Sequence, residues 1–108
     1  MFPRRTTPEV TIDDLESLMA STSAALLDCR EAWEYQMGHV PGALHIPLGE
    51  IAGRVGELPH DRRIMVICQV GGRSLTATDF LLAHGFEGAA SVAGGTTAWV
   101  RSGRPIER

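Results

Sequence analysis

The chain has 108 residues, a net charge of −3 at pH 7 and a mean hydropathy of −0.01. This length is enough for one domain with a single hydrophobic core, which excludes a two-domain arrangement. All ten cationic residues are arginines, which excludes a lysine Schiff base, and the acidic balance argues against nucleic acid as a partner.

The compartment is predicted from the ends of the chain and from its cysteines. Two arginines near the amino terminus are followed by no apolar stretch long enough for a signal peptide, and no run elsewhere is long enough to cross a membrane. Two cysteines without an export signal are typical of a reducing compartment. We therefore expect a cytoplasmic protein that does not bind membranes.

Short apolar runs alternate with helical patterns along the chain. Strands are predicted at residues 9–11, 24–27, 43–46, 64–67 and 89–92. Between and after them, helices are predicted from a Thr11 or Asp13 cap, at 31–37, at 48–58, at 74–84 and at 94–102. Such alternation predicts an α/β fold, a five-stranded parallel sheet with helices on both faces. Residues 9–108 would form this single domain, with residues 1–8 and the last few residues loose.

The pattern with the most chemical content runs from residue 64 to residue 74. A short, branched apolar run ends at Cys68, and the loop that follows carries two glycines, Arg73 and Ser74 before a helical pattern. Ser74 is predicted to cap that helix, so the loop would lie at a helix N-terminus. Unpaired N–H groups and the positive end of the helix dipole favour a thiolate there. The sequence thus predicts a nucleophilic cysteine in an anion-binding loop.

The glycines of this loop have a predicted role of their own. Gly71 and Gly72 allow the backbone to curl so that successive N–H groups point inward and form a nest for an anion. The alternative is an ordinary strand-to-helix turn that follows a buried cysteine, since cysteine is often a small core residue.

Four stretches together give the chain a specific resemblance. They are residues 27–34 with Asp28, Arg30, Trp33 and Glu34; residues 38–47; residues 68–74; and the segment 94–105 with its double glycine and Trp99. In this order they resemble the single-domain rhodaneses, sulfurtransferases that carry sulfur as a cysteine persulfide. The resemblance covers nearly the whole chain and implies the same five-stranded α/β fold.

The resemblance implies a reaction and its participants. Cys68 would attack the outer sulfur of a small-molecule donor such as thiosulfate or a low-molecular-weight persulfide, and would pass the sulfur to a thiol acceptor. Gln69, Val70, Gly71, Gly72, Arg73 and Ser74 would bind the anionic sulfur. No metal or organic cofactor is implied. A relay, in which Cys68 passes sulfur between proteins such as a sulfur carrier, is an alternative.

The loop departs from the common pattern of that family at its rim. Many members carry a basic or strongly polar residue directly after the cysteine, whereas Gln69 is neutral and Val70 is apolar. Arg73 is then the single formal cation of the loop. A less positive rim binds a dianion less well, so we expect a persulfide rather than thiosulfate as the physiological donor.

Two other classes of protein compete with this interpretation. Cell-cycle phosphatases share the fold, and they or an arsenate reductase would also place an arginine after the cysteine, but the phosphatase cradle needs five intervening residues, and here four intervene. Catalytically inactive domains of this fold serve as binding modules, but these usually lack the cysteine. We therefore favour the sulfurtransferase.

The remaining polar candidates have structural alternatives. Cys29 is a candidate resolving thiol but follows an apolar strand, which favours a place in the core. His39 is a candidate general base but lies in a proline-glycine turn, which favours a structural role.

The expected charged cluster near the ends of the strands comprises Asp28, Arg30 and Glu34, and its role is to support the loop. Arg73 either contacts the substrate or braces the loop against a carboxylate, and the sequence leaves both open. Trp33 and Trp99 are expected to pack, one of them at the mouth of a pocket.

Overall fold

The computed structural model describes residues 6–108, and the predicted alternation of strands and helices is confirmed. Its elements are β1 Glu9–Val10, α1 Ile12–Ala20, β2 Ala24–Asp28, α2 Ala32–Met37, β3 Leu44–His45, α3 Ile51–Arg54, β4 Arg63–Ile67, α4 Gly72–Ala83, β5 Ala90–Val92 and α5 Gly95–Arg101. The strands form one five-stranded sheet in the order β1-β5-β4-β2-β3, and every pair is parallel. β4 is therefore central, and the residue that follows it lies at the middle of the sheet edge.

The sheet separates two hydrophobic clusters because side chains alternate along each strand. Val66 and Leu27 lie in the cluster that α3 and α4 cover, whereas Met65 and Leu26 lie in the cluster that α1 and α5 cover. The prediction of helices on both faces is confirmed. β2 and β4 are buried along almost their whole lengths, as expected for a sheet covered on both sides.

Local sequence explains where the first helix begins. Thr11, one of the two predicted caps, accepts a hydrogen bond from the N–H of Asp14, whose carboxylate in turn accepts one from the N–H of Thr11. This reciprocal capping box satisfies two backbone donors that the first helical turn leaves open.

The prediction of one continuous helix over residues 48–58 is wrong. That segment forms a 3₁₀ turn at Leu48–Glu50, a single α-helical turn and a second 3₁₀ turn at Val55–Glu57. The segment contains three glycines, Gly49, Gly53 and Gly56. Each of them disfavours a continuous helix by about 1 kcal/mol relative to alanine. Its apolar side chains still pack against the core.

The chain ends are attached to the domain where the structure describes them. Backbone groups of Glu107 and His39 exchange two hydrogen bonds of 2.8 and 2.9 Å, so the prediction that the last few residues are loose is wrong. Within the predicted loose segment at residues 1–8, Thr7 donates to Asp79 and the carbonyl of Pro8 accepts from Ser91. Residues 1–5 lie outside the described part of the chain.

Candidate active site

Cys68 lies directly after β4, at the carboxyl edge of the sheet, where open parallel sheets bind their ligands. The residue is only 1% exposed. Its Sγ atom accepts a hydrogen bond of 3.1 Å from the N–H of Gly71 and lies 3.4 Å from the hydroxyl oxygen of Ser74. The sulfur is thus enclosed by the loop that follows it.

The backbone turns around the sulfur at Gly71. This residue has a φ of +114°, a conformation that glycine adopts without steric cost, and it directly precedes the first residue of α4. The sulfur therefore faces the N-terminus of a 12-residue helix, as predicted. Of the two glycines, Gly71 carries the positive φ, whereas Gly72 begins the helix.

The surroundings of Cys68 favour the thiolate. Burial opposes ionisation, but hydrogen bonds from the hydroxyl and N–H of Ser74, and from the N–H groups of Gly71 and Val70, outweigh burial. The pKa of Cys68 consequently lies below its ordinary value.

The prediction that Ser74 caps α4 is wrong. The helix begins two residues earlier, at Gly72, which makes Ser74 its third residue. Its side chain is completely buried and points at the sulfur of Cys68 and at the hydroxyl of Ser91, 2.7 Å away. Because Gly71 occupies the cap position, the hydroxyl group of Ser74 does not cap the helix and is available to the sulfur.

Gln69 fastens the loop from both ends of its amide. Its Oε1 atom accepts a hydrogen bond of 3.0 Å from Arg30, and its Nε2 atom donates one of 2.9 Å to Thr97. Arg30 is itself buried, bonded to both carboxylate oxygens of Asp28 and to the carbonyl of Gly38. The side chain of Gln69 is therefore committed to the protein.

Arg73 braces the loop against a carboxylate, one of the two alternatives that the sequence leaves open. Its guanidinium donates two parallel hydrogen bonds, of 2.6 and 2.8 Å, to the carboxylate of Glu34 in α2. This pairing holds the pKa of Glu34 at about 2 and raises that of Arg73. The expected charged cluster therefore exists as two ion pairs, Asp28 with Arg30 and Glu34 with Arg73.

A cavity of about 380 Å³ opens beside the loop. It is lined by Arg30, Trp33, Glu34, Met37, Gly38, Gln69, Thr96, Val100 and Ile106. Trp33 is 64% exposed, so it lines the mouth of this cavity, whereas Trp99 is packed in the core. A second cavity of similar volume lies at the amino ends of β2 and β4, away from Cys68.

Sequence reasoning missed the part that α5 plays. The N–H groups of Thr96 and Thr97 bind the carbonyl oxygens of Cys68 and Gln69 at 2.9 and 3.1 Å, and the Thr96 hydroxyl adds a bond of 3.1 Å. This approach needs glycine at position 95. A Cβ atom there would lie 2.5 Å from the carbonyl oxygen of Cys68. The double glycine before the last helix is the signal that could have indicated it.

The structural alternatives for Cys29 and His39 agree with their surroundings. Cys29 is 1% exposed, and burial, followed by the neighbouring Cys68 and Asp28, raises its pKa to about 12. His39 is also buried, stacks on Tyr35 with ring centroids 3.7 Å apart, and donates from Nδ1 to the carbonyl oxygen of Tyr35. Its ring therefore fastens the turn.

The family follows from a comparison with known domains. A family model described as "Rhodanese-like domain" matches residues 11–102. The chain belongs to this family. Within the described residues, no helix is long and apolar enough to cross a membrane, and no group of three or more His, Cys, Asp or Glu is placed to hold a metal ion.

Individual rhodanese relatives match over most of this chain. A protein of Allochromatium vinosum named sulfurtransferase is 35% identical over 99 residues, which cover 91% of this chain and 92% of that protein. YrkF of Bacillus subtilis, whose name proposes a role as sulfur carrier, is 37% identical over 85% of this chain but only 50% of its own length. The structure of the human single-domain sulfurtransferase TSTD1 is 32% identical and superposes with a TM-score of 0.78 over 89% of this chain and 97% of its own.

The role of Gly95 is testable by adding one methyl group. We expect Gly95→Ala to lower the free energy of unfolding by about 2 kcal/mol or more, because the positive φ alone costs roughly 1–2 kcal/mol and the Cβ meets two loop carbonyl groups. Urea unfolding measures this loss. Gly56→Ala, at a position with open space, is the matched control. Equal stability of the two variants would contradict the assigned role.

The Glu34–Arg73 pair predicts a pH dependence of stability. Since the pKa of Glu34 is lowered from 4.5 to about 2 in the folded state, the pair stabilises the fold above pH 4.5, and this contribution disappears as the pH falls towards 2. We expect it to be about 1 kcal/mol. Urea unfolding between pH 2.5 and 7 should show a shallower acid loss for Glu34→Gln than for the wild type. The exposed Glu87→Gln should keep the wild-type slope, and an unchanged slope in Glu34→Gln would count against the pair.

Proposed function

We propose that this member of the rhodanese-like family is a sulfurtransferase that carries a sulfane sulfur as a persulfide on Cys68. The observation that carries the proposal is the enclosed sulfur at the N-terminus of α4, with a donor N–H at 3.1 Å and a hydroxyl at 3.4 Å. Such donors stabilise a thiolate before the reaction and negative charge during it. The sulfurtransferase names of the relatives agree with this function.

The first step loads the enzyme. The thiolate of Cys68 forms a bond to the outer sulfur of the donor, and the S–S bond of the donor breaks. Its electron pair leaves with sulfite when the donor is thiosulfate, or with the parent thiolate when the donor is a persulfide. The loop residues Gln69, Val70, Gly71, Gly72, Arg73 and Ser74 are the proposed cradle of the bound sulfur, their contribution being mainly backbone N–H groups and the hydroxyl of Ser74.

The second step delivers the sulfur. A thiolate acceptor attacks the outer sulfur of the persulfide, the S–S bond to Cys68 breaks, and the electron pair returns to Sγ. Any proton on the outer sulfur moves with that sulfur to the acceptor, which becomes the new persulfide. The hydrogen-bond donors that lower the pKa of Cys68 also make its thiolate a better leaving group.

We further propose that the physiological donor is a low-molecular-weight or protein persulfide rather than thiosulfate. In the part of the chain that the structure describes, the two guanidinium groups near the loop, those of Arg30 and Arg73, are already paired with carboxylates. The rim carries exposed apolar side chains instead, Val70 at 68% and Met37 at 68%. A dianion loses its water there without gaining an unpaired cation, whereas an organic persulfide gains apolar contact.

The persulfide itself is detectable by intact-protein mass spectrometry. We expect the wild type to gain one sulfur atom from glutathione persulfide, and less from thiosulfate, and to release it as thiocyanate on addition of cyanide. Cys68→Ser should gain none, and Cys29→Ala, the matched control at the other cysteine, should load as the wild type does. If the wild type gains no sulfur from either donor, the proposal is wrong and a binding module takes its place.

The charge of the rim is testable at Val70, because an added cation at Gln69 would face Arg30. We expect Val70→Lys to lower the KM for thiosulfate at least threefold, and the effect to shrink at high salt. Leu44→Lys, an equally charged change at an exposed position on the far edge of the sheet, should leave it unchanged. A wild-type kcat/KM for thiosulfate that equals or exceeds the value for glutathione persulfide would overturn the donor assignment.

A further inference from the structure

A second hydroxyl group lies behind Ser74 and has no part in the reaction described above. The Oγ atom of Ser91 is 2.7 Å from the Oγ atom of Ser74, which is in turn 3.4 Å from the sulfur of Cys68. Both serine side chains are completely buried, and Cys68 is nearly so. Three polar side chains thus form a hydrogen-bonded series that ends at the sulfur of Cys68 and is shielded from water.

The sheet register brings these groups together. Ser91 is paired with Val66 of β4, so Cys68 follows its partner by two residues and lies on the same face of the sheet. The residues on either side of Ser91, Ala90 and Val92, point into the cluster on the opposite face of the sheet. Ser74 descends from α4 onto that face, between the strand that carries Ser91 and the end of β4.

The number of hydrogens in this hydrogen-bonded series decides which way its bonds run. Each hydroxyl group has one hydrogen to donate and can accept from a neighbour. With a neutral thiol, Cys68 donates to Ser74 and Ser74 donates to Ser91. With a thiolate, the direction reverses: Ser91 donates to Ser74, and the single hydrogen of Ser74 is directed at the sulfur. Without a donor at position 91, the oxygen of Ser74 would be left without that partner as it serves the anion.

We propose that Ser91 is a positioning residue that directs the Ser74 hydroxyl towards the sulfur of Cys68 whenever this sulfur is negatively charged. Ser91 is buried and contacts neither the sulfur donor nor the sulfur acceptor. The sulfur carries negative charge before it attacks the donor and again when it leaves the delivered persulfide. Ser91 therefore supports both ends of the cycle, and this second part rests on the proposed sulfurtransferase function.

The charged and titratable groups around the sulfur do not obscure a test by pH. Within residues 6–108, those that interact with Cys68 electrostatically are Cys29, which follows β2, and Arg73 of α4. The pKa of Cys29 is about 12 and that of Arg73 is raised, so neither changes its charge between pH 5 and 10. In that interval the reactivity of Cys68 reports its own ionisation.

The test is the rate of alkylation of Cys68 by iodoacetamide from pH 5 to 10, assigned to Cys68 by peptide mass spectrometry. We expect the midpoint of the profile to move upward in Ser91→Ala, with a rate about threefold lower at pH 7. At pH 10 the rate should be higher than that of the wild type, because a thiolate of higher pKa is more nucleophilic. A general disturbance of structure would change the rate in one direction at every pH.

Three further variants make the test specific, namely Thr78→Val, Ser74→Ala and the double variant of both serines. Thr78→Val removes a buried hydroxyl that donates to the backbone carbonyl of Ser74 rather than to its side chain, and it should keep the wild-type midpoint. In a Ser74→Ala background, Ser91→Ala should have no further effect, since the hydrogen-bonded series is already broken. A wild-type profile for Ser91→Ala, an equal shift for Thr78→Val, or additive effects of the two serine substitutions would overturn the proposal.

Delivery of sulfur gives an independent readout. In a single turnover from preloaded enzyme to cyanide, we expect Ser91→Ala to release thiocyanate about threefold more slowly than the wild type. If the wild type cannot be loaded with sulfur, the proposed function fails, but the alkylation profiles still decide the role of Ser91. If loading succeeds and the profiles coincide, only the role of Ser91 fails.

Discussion

The close approach of α5 to the end of β4 is the constraint on which the rest of the site depends. Two N–H groups of α5 hold the carbonyl groups of Cys68 and Gln69, at 2.9 and 3.1 Å, and Gly95 leaves room for them. With its carbonyl groups held on that side, the loop presents the N–H of Gly71 to the sulfur on the other. One helix N-terminus thus shapes the loop, and a second, that of α4, faces the sulfur of Cys68.

Charge in this site serves geometry more than attraction. Arg73 and Arg30 each form a bidentate pair of hydrogen bonds with a carboxylate, of Glu34 and Asp28 respectively. Such pairs fix the orientation of a planar guanidinium. The thiolate form of Cys68 is therefore favoured by nearby N–H groups and a hydroxyl group, whose hydrogen bonds lower its pKa.

The prediction at residue 74 failed because the partners of its side chain are distant in the sequence. Ser74 has the side chain of a good helix cap, but glycine at position 71 takes the cap, and burial against Ser91 gives the hydroxyl another partner. The sequence left open which tryptophan lies at the mouth of the pocket, and the structure places Trp33 there, at 64% exposure. Residue type predicts what a side chain can do locally. Its partners come from elements distant in the sequence, which no local pattern indicates.

The sequence by itself determined the α/β fold, the five parallel strands and the position of Cys68 between a buried strand and a helix, because hydrophobic periodicity and glycine placement are local signals. Only the tertiary structure decided that Arg73 pairs with Glu34, 39 residues away, and that Ser91 lies behind Ser74. These contacts depend on the order of strands in the sheet and on their register. Both are properties of the packed domain, since they are set by which faces are buried together.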